Sequence, residues 1–137
     1  LLCKVKTTII VPKVLKRHAN DIEHEIEQLK ASEIELHSFD GIEKWFTNQA
    51  ITDLTVLRNA IIKDDNIDTR RFFWATFCEV IRIVSNSRDC TYKLHIKEKS
   101  DIDSYDKDAI DLFLKTLNFN VDKYLTFYNK LKSTGKL

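Results

Sequence analysis

The sequence predicts an all-α fold, a single-domain helical bundle of about five helices with one long extended connection. The chain has two glycines and one proline in 137 residues, and this scarcity favours long helices over a turn-rich sheet. Apolar residues also recur every three or four positions in several long segments, which is the helical period. The length suits one domain, residues 1–137, with a core that needs neither disulfide nor metal.

The residue pattern of the N-terminal half predicts a strand-like segment followed by three helices. The stretch KTTIIV is rich in β-branched residues and favours extended structure. Pro12 suits the first turn of a helix that runs to about Ala31. After the loop SFDG, we expect a short helix containing Trp45 and Phe46. The apolar stripes are Val14, Leu15, Ile22, Ile26 and Leu29 in the first helix, and Leu54, Leu57, Ile61 and Ile62 in a third helix over about 52–63.

The residue pattern of the C-terminal half predicts two long helices and the long connection between them. The more hydrophobic helix spans about Thr69 to Val84, with Asp65 or Asp68 as its N-cap, and is expected at the centre of the bundle. Its apolar face contains Phe73, Phe77, Val80, Ile81 and Val84, widened by Phe72, Trp74 and Cys78. The connection, 86–105, has no helical period, and within it CTYKLHI alternates in a way that favours a short strand or extended arm.

The last helix is expected from about Lys107 to Lys132, with Asp106 as its cap. Its apolar residues recur every three and four positions: Ile110, Leu114, Leu117, Val121, Tyr124, Tyr128 and Leu131. Such spacing suits a coiled-coil-like seam. The seam can close the bundle, which is the simpler interpretation, or it can form a homodimer.

Charge is unevenly distributed along the chain, although the formal net charge is only +1. Residues 1–18 contain five basic residues and no acid, residues 20–43 contain eight acids and one lysine, and residues 82–99 contain five basic residues against two acids. Bulk charge therefore does not indicate a nucleic-acid partner. Only folding could bring the two basic segments together into one patch.

Three widely spaced cysteines without a Cys-x-x-Cys pattern indicate a reducing compartment, and we expect a cytoplasmic protein. No apolar run approaches the ~18 residues of a membrane span, so no membrane partner is expected. The chain contains no methionine, even at position 1, and this predicts a piece of a longer protein.

The residue chemistry does not predict an enzyme. The two glycines, Gly41 and Gly135, are too far apart to form a phosphate-binding loop, and the four histidines lack metal-ligand spacing. Acidic clusters such as 23–27 and 101–108 are more typical of solvated helix faces and caps than of paired catalytic carboxylates. We therefore predict no catalytic, cofactor-binding or metal-binding residue in this chain.

The stretch RIVSNSRDCTYKLHI, at 82–96, is the best candidate binding site. Basic side chains neutralise phosphates, and Ser and Asn side chains form hydrogen bonds with phosphates or base edges. The alternative is an ordinary solvated helix C-terminus, where Asn and cations are also favoured. The candidate DNA-binding residues are Arg82, Ser85, Asn86, Arg88, Lys93, His95 and Lys97.

Three separated stretches and one residue resemble, in the same order, elements of one protein family. They are LLCKVKTT at 1–8, GIEKWF at 41–46, RRFFWATFCEVIRIVSNSR at 70–88, and Lys93. The chain is similar to a central helical section of bacterial restriction-modification DNA methyltransferases. These enzymes use S-adenosylmethionine to methylate an exocyclic amino group of adenine or cytosine. In the family, an Asp-Pro-Phe-x-Gly-Ser-Gly-Thr-Thr cofactor motif lies before this section and a Ser/Asp-Pro-Pro-Tyr catalytic motif lies after it, and neither occurs in this sequence.

The resemblance implies a DNA-recognition or scaffolding domain, inactive alone, whose partners are double-stranded DNA and the rest of the methyltransferase chain. S-adenosylmethionine would be a cofactor of the parent enzyme and not of this chain. A site carried over from the family is limited to Arg82, Ser85, Asn86, Arg88 and Lys93. The alternative function is a helical protein-interaction or dimerisation module without a nucleic-acid role.

Overall fold

The computed structural model describes residues 1–88, 93, 95–103 and 107–137. Within these residues the chain is helical, as predicted, and contains seven helices, of which four are long. They are α1 (Leu2–Thr7), α2 (Pro12–Lys30), α3 (Ile42–Trp45), α4 (Asn48–Lys63), α5 (Ile67–Val84), α6 (Lys99–Asp103) and α7 (Ala109–Ser133). The four long helices pack around one apolar cluster, and α1 packs on the outside of α5.

The prediction of a strand-like segment in KTTIIV is wrong at its start, where Lys6 and Thr7 belong to α1. The hydroxyls of Thr7 and Thr8 donate to the carbonyls of Cys3 and Lys4, each at 2.7 Å, and so close the helix end. Contact with α5 then favours a helix over the β propensity of the sequence, which is a weak preference that packing overrides. Residues 8–11 form an extended link to α2.

Tyr124 of α7 fixes this link to the bundle. Its hydroxyl donates to the carbonyl of Ile10 at 2.9 Å and accepts from the Ile10 amide at 2.6 Å. The Tyr124 ring packs edge-on against Phe72, with 5.9 Å between centroids. Burial raises the pKa of the Tyr124 hydroxyl above its ordinary value. Both backbone groups of the buried Ile10 are thereby satisfied without a helix or a strand.

Local capping explains where α3 and α4 begin. Gly41 precedes α3 with φ of 80°, a left-handed conformation that residues with a side chain rarely adopt, and it ends the predicted SFDG loop. Thr47 caps α4 by accepting from the Ala50 amide at 3.2 Å. Because of this cap, α4 begins at Asn48, earlier than the predicted Thr52.

The centre of the bundle is shared by α4 and α5, whereas the sequence pointed to α5 alone. Helix α4 packs against α2, α5 and α7, and nine of its sixteen residues are buried. Two predicted core positions are wrong: Ile62 is 44% exposed and Cys78 is exposed. Ile62 lies at the edge of the α4 stripe, and Cys78 faces the α1 side of α5.

A polar hub joins α2, α4 and α5. The Asp64 carboxylate, just after α4, bonds to Nδ1 of the buried His18 at 2.7 Å and accepts from the Thr69 hydroxyl at 2.6 Å. The N-cap of α5 is Asn66, whose side chain accepts from the amides of Asp68 and Thr69. The predicted caps Asp65 and Asp68 are therefore wrong, because Asn66 holds the position from which both amides are reached.

The last helix begins at Ala109, with Asp108 accepting from the amides of Ile110 and Asp111, and not at Lys107. The predicted cap Asp106 lies outside the described residues. The first half of α7 closes the core, as the seam predicted at Ile110, Leu117 and Val121, and the buried Ala109 and Phe113 add contacts that the seam did not include.

Asp53 of α4 is a buried acid at the start of α7. Its carboxylate accepts from the Gln49 side chain at 2.8 Å. Burial raises the pKa of Asp53 above its ordinary value, and the charge of Asp108 adds to this, against hydrogen bonds from Gln49 and the Ala109 backbone.

Candidate nucleic-acid interface

The candidate site is the corner that follows α5, which we call the 82–97 corner. Helix α5 ends at Val84, and Ser85 turns the chain into an extended conformation. Asn86 is 5% exposed because it is held from two sides. Its amide donates to the carbonyl of Trp45 at 2.7 Å and its side chain donates to the carbonyl of Lys44 at 3.2 Å. The corner is thus fixed to α3.

A returning segment stabilises the same corner. The Lys97 amide donates to the carbonyl of Asn86 at 2.6 Å, and the Arg88 amide donates to the carbonyl of His95 at 2.8 Å. Ser87 and Ile96 form an antiparallel bridge. The alternating segment CTYKLHI therefore has an extended, paired end, whereas residues 89–92 and 94 lie outside the described residues.

Three of the predicted site residues, Ser85, Asn86 and Lys97, donate side-chain hydrogen bonds to backbone carbonyls of the protein. The Ser85 hydroxyl donates to the carbonyl of Arg82 at 3.0 Å and lies 2.6 Å from the Ser87 hydroxyl. The Lys97 ammonium donates to the carbonyl of Ser85 at 3.3 Å. Ser85 and Asn86 are both buried, so little of either side chain reaches the surface.

The other four predicted residues, Arg82, Arg88, Lys93 and His95, are exposed. The Arg88 guanidinium lies 3.7 Å from the Glu98 carboxylate, and the two side chains are 44% and 72% exposed. An exposed pair at that distance contributes little to stability and leaves the guanidinium accessible to an anion. The structure thus exposes four basic side chains along a corner whose backbone is held by hydrogen bonds at Asn86, Arg88 and Lys97.

The structure divides the other basic segment, residues 1–18, between two places. Leu1, Leu2 and Cys3 share a groove with Cys78, Glu79 and Arg82, so the start of α1 lies next to the 82–97 corner. Lys4 and Lys6 are exposed on this helix.

The basic residues at the start of α2 lie at the other end of the bundle. Arg17 is adjacent to His18, which contacts Asp64 beside the first turn of α5. The 15 residue steps from Thr69 to Val84 advance by about 22 Å at the α-helical rise, well beyond the ~8 Å Debye length of physiological salt. The charges of Lys13, Lys16 and Arg17 therefore do not merge with the 82–97 corner.

An apolar cavity of about 380 Å³ lies beside the corner, between α3, α4, α5 and residues 37–39. We call it the aromatic cavity, because four aromatic rings line it: Phe39, Phe46, Trp74 and Phe77. His37 and Arg58 supply polar groups at its walls, and the His37 backbone amide donates to the Thr55 hydroxyl at 3.1 Å.

A second cluster gathers His18, Asp64 and Asp65, whose ligand atoms lie within 4.8 Å of one another. A pocket of about 220 Å³ opens beside it. The hydrogen bonds from His18 and Thr69 already occupy both carboxylate oxygens of Asp64. This arrangement stabilises the junction of three helices and is accounted for without a ligand.

The sequence missed the aromatic cavity and the His18 hub. Residues 37–39, 46, 58 and 74–81 are distant in the chain, and only the packing of α3 and α4 against α5 brings them together. His18 falls on the apolar stripe of α2, four residues before Ile22, and that position could have indicated its burial.

None of the helices in the described part of the chain combines the length and the apolarity that a membrane span requires.

Comparison with known proteins gives a partial match. The chain is 30% identical over 142 residues to Type II methyltransferase M.MvaI of Kocuria varians, and the match includes 98% of this chain. The chain spans 31% of the length of that protein, so it is similar to one segment of it. No protein-family model and no solved structure matches the chain. The chain is therefore a helical segment distantly homologous to part of a type II methyltransferase.

Proposed function

We propose that the chain is a helical DNA-recognition section of a restriction-modification DNA methyltransferase and that it contacts duplex DNA through the 82–97 corner. The observation that carries the proposal is the exposure of Arg82, Arg88, Lys93 and His95 on a corner that backbone hydrogen bonds hold in place. The similarity to a segment of a type II methyltransferase supports the same conclusion. An enzyme that modifies a base inside a duplex needs protein surface to grip the surrounding backbone.

Within this proposal the seven candidate residues have two roles. The four exposed residues contact phosphates, and Arg88 does so by exchanging its solvent-exposed partner Glu98 for the DNA. Ser85, Asn86 and Lys97 position the corner, since their hydrogen bonds are made to backbone carbonyls. Because the backbone of the corner is already fixed, it does not have to be ordered when DNA binds, and the entropy cost of binding is lower.

The methylation chemistry belongs, in this proposal, to the remainder of the enzyme. S-adenosylmethionine would bind there, at the glycine-containing cofactor motif that the family carries before this section. The described residues of this chain bind and orient DNA, and the other partner of the section is the rest of the methyltransferase chain.

The proposal is tested by fluorescence anisotropy with a labelled duplex at low salt. The wild-type chain should bind, and Arg88→Ala combined with Lys93→Ala should weaken binding, because each removes a phosphate contact. At physiological salt the affinity should fall into the weak range of non-specific binding, ~10⁻⁴ to 10⁻⁶ M.

The matched control removes the same charge at the opposite end of the bundle, with Lys13→Ala combined with Lys16→Ala. Both lysines are exposed on α2, so neither change disturbs the core. Equal weakening by the two double variants would mean that overall charge alone governs binding. That result, or an absence of binding by the wild type, would refute the corner as the DNA contact.

The second candidate function is a helical interaction module that uses α7. The observation in its favour is that Phe119 and Phe127 of this helix are 60% and 44% exposed. Sedimentation of the wild type and Phe119→Asp distinguishes the two proposals, since a dimer broken by this change would favour the module. Leu117, at 2% exposed, is unsuitable for this test because its substitution would disrupt the core.

A further inference from the structure

The aromatic cavity has the size and lining of a ligand site. Its volume of about 380 Å³ lies within the ~300–1,000 Å³ usual for small-molecule pockets. Trp74 and Phe77 meet edge to face, with ring centroids 5.3 Å apart. Phe39 is 48% exposed, so one wall is an aromatic ring in contact with solvent. Such a lining favours a flat aromatic group that can stack on the rings.

The charge around the cavity favours an anion. Arg58 and His37 line it, and no acidic residue is among the described residues that do so. Arg58 is half-buried, and its guanidinium donates to the Asn59 side chain at 3.3 Å. Within the described part of the chain it has no carboxylate partner. A guanidinium that faces no carboxylate can offer its N–H donors to an anion such as a phosphate.

Two other openings differ in this respect. The pocket beside His18 is lined by four acids, Asp21, Glu25, Asp64 and Asp65. The groove between α1, α5 and α7 contains Glu79 along with Lys6 and Lys123. Of these three openings, and among the residues that the structure describes, the aromatic cavity alone combines stacking surface with positive charge that no lining acid opposes.

The cavity and the 82–97 corner share a helix. Ile42 and Phe46, at the two ends of α3, line the cavity, whereas the carbonyls of Lys44 and Trp45 hold Asn86. Ile81 lines the cavity from the last turn of α5, four residues before Ser85. A chain of phosphates on the corner would thus pass close to the cavity.

From this lining, charge and position we infer that the aromatic cavity binds a nucleotide, with its base against the aromatic walls and its phosphate on Arg58. The nucleotide has two possible sources, which share this chemistry. It is either a free mononucleotide or an unstacked nucleotide in DNA held at the corner, and the second source rests on the proposed function.

Three probes separate these sources: a fully paired duplex, the same duplex with one extra unpaired adenine, and free deoxyadenosine monophosphate. Anisotropy follows the duplexes, and quenching of tryptophan fluorescence, with Trp74 in the cavity wall, follows the mononucleotide. The unpaired adenine should strengthen duplex binding about ten-fold, the scale of stacking one base on aromatic side chains.

Two substitutions test the cavity itself. Phe39→Ala and Arg58→Gln should each remove the preference for the duplex with the unpaired adenine, whereas Arg88→Ala should weaken both duplexes and keep the preference. The matched controls are Phe119→Ala, at an exposed phenylalanine of α7, and Arg71→Gln, at a half-buried arginine that is paired with Asp68. Both controls should bind as the wild type does, and circular dichroism should show each variant folded.

The outcomes separate the cavity from the corner. Equal affinity for the two duplexes, without quenching by the mononucleotide, overturns the cavity site even if the corner binds DNA. Quenching that Phe39→Ala abolishes, in the absence of duplex binding, supports a free-nucleotide site and refutes the proposed function. An absence of binding by all three probes overturns both.

Discussion

The substitution Tyr124→Phe tests how the N-terminal segment is held against the bundle. It keeps the ring that packs on Phe72 and removes only the hydroxyl, which makes two hydrogen bonds with Ile10 at 2.6 and 2.9 Å. Each such bond contributes about 0.5–1.5 kcal/mol, so the change should lower the free energy of unfolding by about 1–3 kcal/mol. The melting temperature should fall by about 3–5 °C for each kcal/mol lost in a chain of this length.

Urea denaturation followed by circular dichroism measures this loss. The matched control is Tyr128→Phe, since Tyr128 is half-buried on the same helix and its hydroxyl makes no hydrogen bond with the described residues. The control should change stability by less than about 0.5 kcal/mol. Equal stability of the two variants would refute the assignment of Tyr124 as the residue that fixes Ile10.

The pH dependence of the free energy of unfolding of Tyr124→Phe gives a second test. Burial raises the pKa of Tyr124, so its neutral form contributes stability that is complete below pH ~10 and is lost as pH rises through the folded-state value. The wild type should therefore lose stability at alkaline pH more steeply than Tyr124→Phe. Parallel curves for the two proteins would contradict this interpretation.

Two further predictions concern buried polar groups. Because burial raises the pKa of Asp53, its contribution is complete below pH ~4 and is lost as pH rises through the folded-state value, so Asp53→Asn should be more stable than the wild type at pH ~7 in urea titrations. A less stable variant would contradict this. Thr69→Val removes the donor to Asp64 and should cost about 1–3 kcal/mol in the same assay. Thr126→Val, at a hydroxyl bonded to its own helix, should cost less, and equal losses would refute the hub.

The long helices could be predicted from the sequence because their burial is periodic. Helices α2, α5 and α7 begin and end within about two residues of the positions that periodicity indicates. The errors lie where a local preference competes with packing. The β-branched residues near Thr7 favoured a strand, yet α5 offers α1 a helical contact, and no strand partner for this segment exists among the described residues.

Cap residues were less predictable than helices, because several acceptors lie within reach of each helix start. Asp65, Asn66 and Asp68 are all chemically suitable for α5, and tertiary contact decides among them. The Asp64 carboxylate, which contacts His18 46 positions earlier, accepts from the Asn66 amide at 3.2 Å, and the Asn66 side chain in turn accepts from the amides of Asp68 and Thr69. No pattern within the segment reveals that long-range bond.

The position of the candidate site stays a prediction, and the hydrogen-bonding roles of its buried residues could not be inferred from the sequence. Composition and order indicated residues 82–97, since Arg, Lys, Ser and Asn are the side chains that contact DNA. It could not be inferred from the sequence that Asn86 bonds to the carbonyls of Lys44 and Trp45, because Lys44 lies 42 residues earlier in the chain. The aromatic cavity depends on still more distant residues and gave no local signal.

The dependence of duplex affinity on salt tests the DNA contact most directly. If Arg82 and Arg88 each neutralise one phosphate, the slope of log affinity against log salt should become shallower by about 1.8 in Arg82→Gln combined with Arg88→Gln. The charge-matched Lys13→Gln with Lys16→Gln should keep the wild-type slope. A slope that is identical in all three proteins, or equally reduced in both variants, would contradict a DNA contact at the 82–97 corner.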